Sequence, residues 1–140
     1  MPMLNSAVQL ATKPIPRAIS PRTHAIIDYA MVGSLFVSAA LFWRRSKRAA
    51  VAALIAGGAE LAVNLLTNYP GGVKKVINFE THREIDLGLG AMTATLPEFL
   101  AFTDERERKF FLAEGAMITA ISQLTRFPDK ARRAERRYAA

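Results

Sequence analysis

The chain has no cysteine, which excludes disulfides, thiolate-bound metals and a cysteine nucleophile. It carries only two histidines and one tryptophan. The zinc-protease HExxH, the GxSxG elbow, the phosphate-binding glycine loop and the dinucleotide fingerprint are all missing. Ser20 sits four residues before His24, at a helix start, and makes no triad. With no nucleophile and no complete acid–base set, an enzyme is not expected. The first 19 residues hold Pro2, Pro14 and Pro16 and no continuous apolar run, so they read as a loose or interfacial tail rather than a signal peptide.

Charge is also scarce, but only in certain places. Lys and Arg outnumber Asp and Glu by 19 to 12, giving a net charge of +7, and these residues are bunched. Arg44 to Arg48, Asp104 to Lys109 and Lys130 to Arg137 are dense blocks. Between Ala25 and Trp43 the one charged residue is Asp28. Between Ala49 and Tyr69 it is Glu60, and between Phe110 and Thr125 it is Glu114. The stretch from Glu84 to Phe102 carries Glu84, Asp86 and Glu98. These lengths bracket the ~20 residues that cross a bilayer as helix. A water-soluble bundle would show a charged face on each helix; Ala49–Leu66 has none. The expectation is an all-α, four-transmembrane-helix bundle in a bacterial inner (plasma) membrane.

The chain matches itself at an offset of 58 residues. Thr23-His24 falls on Thr81-His82, Ile27-Asp28 on Ile85-Asp86, Arg48 on Arg106, Leu54 on Leu112 and Gly57 on Gly115. Ala62 falls on Ala120, Leu66-Thr67 on Leu124-Thr125 and Pro70 on Pro128, eleven identities without a gap. Alanine and leucine bias does not produce THxxID and TxxP at the two ends of one unit. The duplication predicts two tandem helical hairpins related by pseudo-two-fold symmetry, repeat one over 20–70 and repeat two over 78–128. They are flanked by the 1–19 tail and a basic 129–140 tail.

Ser20 is a good N-cap with Pro21 behind it, and Asn78 is its counterpart. Helices are expected over about Pro21–Trp43, Arg48–Asn68, Phe79–Ala101 and Glu107–Phe127, the second and fourth stopped by Pro70 and Pro128. Gly57-Gly58 and Gly115-Ala116 fall mid-helix, where small residues permit close approach, and Gly88 and Gly90 read as packing positions. Each hairpin crosses twice, so both THxxID segments and both TxxP ends belong to one face. That face holds twelve of the nineteen basic residues, which favours cytoplasmic termini. The expected partners are the bilayer, anionic head groups at the basic C-terminal tail, and a second copy or another membrane protein; nucleic acid is not expected.

His24 and Asp28 are four apart on one helix face, and His82 and Asp86 repeat the arrangement. Brought together near a pseudo-two-fold axis, two imidazoles and two carboxylates suit a divalent metal such as Zn²⁺. In spacing alone this resembles the paired HxxxD and DxxxD helices of cation-diffusion-facilitator transporters. Length, helix count and the remaining sequence differ, and no function carries over. The same residues also serve as a helix fastener, His24 bonding to Asp28 or near Tyr69, and bis-histidine haem ligation is a third possibility. Glu60, with Asn64 one turn along its face and Glu114 on the last helix, belongs to an intramembrane relay or to helix packing, because a carboxylate at that depth must pair, protonate or line a wet cavity. Two functions follow: a non-catalytic membrane scaffold or partner subunit, or metal-ion or proton binding and transport through the paired His-x-x-x-Asp site.

Overall fold

The structure, a computed structural model, describes residues 16–127; residues 1–15 of the expected 1–19 tail and the whole 129–140 tail lie outside that range, while Ile19 is held in a bridge rather than in a loose tail. Four helices make up the described chain: α1 (Pro21–Phe42), α2 (Lys47–Leu66), α3 (Phe79–Phe99) and α4 (Glu105–Leu124). No strands occur among the described residues apart from two isolated bridges.

The helix starts follow the capping chemistry. Ser20 Oγ accepts from the Thr23 amide at 3.1 Å ahead of Pro21, and Asn78 Oδ1 accepts from the Thr81 amide at 2.8 Å. The ends differ from expectation. α2 and α4 stop at Leu66 and Leu124 because Thr67 (φ −86°, ψ 140°) and Thr125 (φ −82°, ψ 141°) are already extended. Pro70 therefore follows a finished helix rather than ending it, and Pro128 is outside the described residues.

That extended step lets each threonine bridge to the segment that precedes another helix. Ile77 N donates to Leu66 O at 2.9 Å and Asn68 N to Ile77 O at 2.7 Å. Ile19 N donates to Leu124 O at 3.0 Å and Arg126 N to Ile19 O at 2.9 Å. Every partner in the second set stands 58 residues from its counterpart in the first. These bridges gather the starts of α1 and α3 and the ends of α2 and α4 at one end of the bundle.

The helices pack chiefly as hairpins, α1 on α2 and α3 on α4, with α2 also meeting α3 and α1 meeting α4. An apolar core fills the end opposite the bridges, built from Leu35, Phe42, Ala49, Ala53, Leu96, Phe102 and Phe111 with further alanines. Tyr69, Phe79 and Ala25, backed by Phe127, form a smaller cluster at the bridged end.

Glycine has two distinct roles. A Cβ on Gly115 would lie 2.5 Å from the Gly90 carbonyl oxygen, and one on Gly90 would lie 2.5 Å from Thr119 Oγ1, so α3 and α4 touch through these two positions. Gly57 lies under Leu35 and Phe36 of α1. Gly58 and Gly88 face open space, so the packing role expected of them is not seen.

α1 and α2 are long and apolar enough to cross a membrane; α3 and α4 are not. The reason is local. α3 carries Glu80, Arg83, Glu84 and Asp86 near its start, and the first turns of α4 read ERERK. Gly115→Ala should destabilise the protein by about 1–3 kcal/mol, because its methyl has no room against α3 backbone. Gly58→Ala should be neutral or slightly stabilising, through helix propensity alone. Thermal unfolding of the two purified variants checks this; equal effects would contradict the close α3–α4 approach.

Candidate metal centre

At the bridged end the first turns of α1 and α3 bring His24 and His82 face to face, both fully buried. Their Nε2 atoms are 3.2 Å apart. The i, i+4 spacing places Asp28 and Asp86 one turn further in, on either side of that contact. Asp28 Oδ2 is 3.3 Å from His24 Nε2 and 3.4 Å from His82 Nε2. Asp86 Oδ2 is 3.4 Å from His24 Nε2 and 3.2 Å from His82 Nε2. The four residues singled out by the repeat are thus assembled into one cluster.

Two threonines orient the rings. His82 Nδ1 lies 2.8 Å from Thr67 Oγ1, and His24 Nδ1 lies 2.6 Å from Thr125 Oγ1. Each hydroxyl donates its single hydrogen to a backbone carbonyl, Thr67 to Val63 O and Thr125 to Ile121 O, both at 2.7 Å. Each can then only accept from the imidazole, so both rings carry their proton on Nδ1. When the rings are neutral, both Nε2 lone pairs point at each other and at the carboxylates. This is the tautomer a metal-bound histidine takes when its far N–H is held by a second group. The support is also exchanged: Thr67 of the first hairpin holds His82 of the second, and Thr125 of the second holds His24 of the first.

The distances separate two chemistries. A charge-assisted hydrogen bond from imidazolium to carboxylate closes to about 2.7–2.9 Å and chooses one acceptor. Here each Nε2 is shared almost evenly between two carboxylate oxygens at 3.2–3.4 Å and meets another nitrogen at 3.2 Å. Four ligands bonded at about 2.0–2.1 Å in a tetrahedron stand about 3.3 Å from one another. The three edges among His24, His82 and Asp86 match it, while Asp28 and Asp86 stand on opposite sides of the nitrogen pair. The ligand atoms of His24, His82 and Asp86 lie within 4.8 Å of one another, and Asp28 flanks the same pair of nitrogens. Bis-histidine haem ligation does not fit, because 3.2 Å between the nitrogens leaves no space for a porphyrin plane.

Aromatic rings close the outer side. Tyr69, Phe79 and Phe127 contact His24 edge-on, and Phe79 and Phe127 stack with centroids 4.5 Å apart. A pocket of about 370 Å³, lined by these three rings with Asn68 and Arg126, opens beyond them. Tyr69 does not bond to a histidine, as one reading of the sequence had it; its hydroxyl donates to Asp28 Oδ2 at 3.1 Å. Burial and the neighbouring Asp28 push the Tyr69 hydroxyl above its ordinary value, so it stays a donor. Its repeat counterpart is Phe127, so Asp86 has no such partner there.

Glu60, Asn64 and Glu114 are all buried but are not bonded to one another among the described hydrogen bonds. Glu114 accepts from Ser34 Oγ at 2.6 Å, a partner on α1 that helix spacing does not reveal. Thr67 and Thr125 were visible as repeat identities, but nothing in their spacing marks them as imidazole acceptors. No family model matches the chain, and neither a curated protein nor a solved structure is similar to it.

Thr67→Val and Thr125→Val each remove the acceptor while keeping the shape, and each should cost about 1–3 kcal/mol by leaving a buried N–H unpaired. Nitrogen NMR of the imidazoles should report Nδ1–H on both rings in the unsubstituted protein and a mixture in the variants. Nε2–H on both rings of the unsubstituted protein would refute the assignment.

Proposed function

We propose that the protein is a four-span, non-catalytic membrane protein whose two hairpins are clasped by one divalent transition-metal ion, with zinc the best match. The site is His24, Asp28, His82 and Asp86. The observation that carries this reading is the set of five near-equal separations around two lone-pair nitrogens. Three mutually close ligand atoms, from His24, His82 and Asp86, support it, with Asp28 flanking the same nitrogens as a further donor. The metal would balance the two aspartate charges, and the threonines would supply the outer support that metal-binding imidazoles use.

The membrane part rests on an inverted distribution of polarity. Asp28, Glu60, Asp86 and Glu114, the acids nearest the helix middles, are all buried. The exposed positions between the end charges are uncharged on every helix. They include Phe36, Val37 and Leu41 on α1, and Val51, Leu54 and Ile55 on α2. On α3 they are Gly88, Ala91 and Thr95, and on α4 Leu112, Ala113, Ala116, Met117 and Ala120. This belt is about 21 Å tall on α3 and about 33 Å on α1, around the ~30 Å hydrocarbon thickness. The belt supports four spans even though the acids of α3 and the basic start of α4 lower their hydropathy. Recurrence of capping and bridging bonds at the 58-residue offset supports pseudo-two-fold hairpins. The apolar core beyond Glu114 favours binding from one end over passage through the bundle.

Purified protein should carry stoichiometric zinc, and His24→Ala/His82→Ala should lose it while keeping its helical circular dichroism. Thr67→Val should weaken zinc binding roughly 10–100-fold without abolishing it. Metal-free protein that takes up no zinc would refute the metal reading. Recovery of the untagged chain as a detergent-free soluble monomer would refute the membrane reading.

A further inference from the structure

The His/Asp cluster is nearly symmetric, and its distances admit only one aspartate at a time on a metal. His24, His82 and Asp86 offer ligand atoms that all lie within 4.8 Å of one another. Asp28 stays outside that group, although its Oδ2 is 3.3 Å from His24 Nε2 and 3.4 Å from His82 Nε2. Asp86 Oδ2 is no nearer to that pair, at 3.4 Å and 3.2 Å, so what excludes Asp28 is its separation from Asp86. Two carboxylate oxygens on one zinc ion, each bonded at about 2.0–2.2 Å, stand at most about 4.4 Å apart. One aspartate therefore binds, and the other stands off across the nitrogens.

Tyr69 decides which. Its hydroxyl donates at 3.1 Å to Asp28 Oδ2, the same oxygen that faces the nitrogens. The residue at the matching place in the second hairpin is Phe127, which has no hydroxyl to give Asp86. Among the described contacts, Asp28 Oδ2 is engaged from outside the nitrogen pair, whereas Asp86 Oδ2 meets the histidine nitrogens alone. Three protein ligands with one position left over is the pattern of an open zinc site rather than a closed one.

We propose, resting on the metal reading above, that His24, His82 and Asp86 are the protein ligands and that Asp28, held by Tyr69, takes the hydrogen of an exchangeable fourth ligand. As a carboxylate Asp28 only accepts, so that ligand must have a hydrogen to give. Asp28 and Asp86 together already balance a divalent charge, so the ligand is neutral. Water, a hydroxyl or an amine meets both conditions; azide meets neither. Tyr69 also lines the pocket of about 370 Å³ with Phe79, Phe127, Asn68 and Arg126, which gives space for the rest of such a molecule beyond the residue that holds Asp28.

The test uses full-length protein in detergent loaded with Co²⁺, which accepts the same kinds of ligand as zinc. Electron paramagnetic resonance in water enriched in ¹⁷O should show lines broadened by a bound water oxygen. Hydroxylamine, neutral and protic, should remove that broadening, and azide should not. Asp28→Asn should weaken Co²⁺ binding roughly 10–100-fold, the usual cost of an outer partner, whereas Asp86→Asn should abolish it. In a Tyr69→Phe background, where neither aspartate has a hydroxyl partner, the two substitutions should cost the same. Bound Co²⁺ without ¹⁷O broadening, displacement by azide, or equal losses with Tyr69 in place each overturn the open position and leave the metal reading standing. Protein that takes up no Co²⁺ refutes both. If either aspartate variant loses the wild-type circular dichroism, the ¹⁷O and displacement results on the unsubstituted protein decide.

Discussion

Two imidazoles meeting nitrogen to nitrogen inside a helical bundle is the constraint around which the molecule is organised. Lone pairs at that distance repel unless something positive lies between or beside them. The chain devotes both of its histidines, two aspartates and two threonines to this one place. The threonines end their helices where they do because the extended residue must turn its hydroxyl back to its own helix and its lone pair outward. Local backbone choice and ring orientation are therefore one event: a helix that ran one turn further would carry the acceptor away from the ring.

The rest of the bundle reads as the environment such a cluster needs. Aromatic rings seal it on the outer side, and a core of alanine, leucine and phenylalanine closes the far end. The chain places its mid-helix acids inward and its bulky aliphatic side chains outward. In water that distribution would waste the hydrophobic effect and strand the acids. In the proposed hydrocarbon surroundings it would keep charge away from lipid. The Gly90–Gly115 approach brings the backbones of α3 and α4 into direct contact.

Much of this was legible in the residues. Ser20 and Asn78 announce their helices, and the paired THxxID segments, read with the parity of the hairpins, put His24, Asp28, His82 and Asp86 at one end. Other features were out of reach. Thr67 and Thr125 end helices by a backbone torsion that their identity does not dictate, so Pro70 took the credit for a boundary it does not set. Gly58 and Gly88 look like Gly57 and Gly90 in composition, but their orientation about the helix axis leaves them facing outward. Ser34 meets Glu114 across eighty residues, a contact that depends on how one hairpin rotates against the other. The sequence led to an expectation of four membrane-crossing helices, whereas the charges of α3 and α4 leave only α1 and α2 long and apolar enough.

The crossed threonine support has a consequence for how the protein comes together. Neither half of the chain owns a finished site: each supplies one ring, one acid and the brace for the other half's ring. A ring cannot be held in its working tautomer until the opposite hairpin has arrived. Assembly of the cluster and docking of the halves are thus the same step.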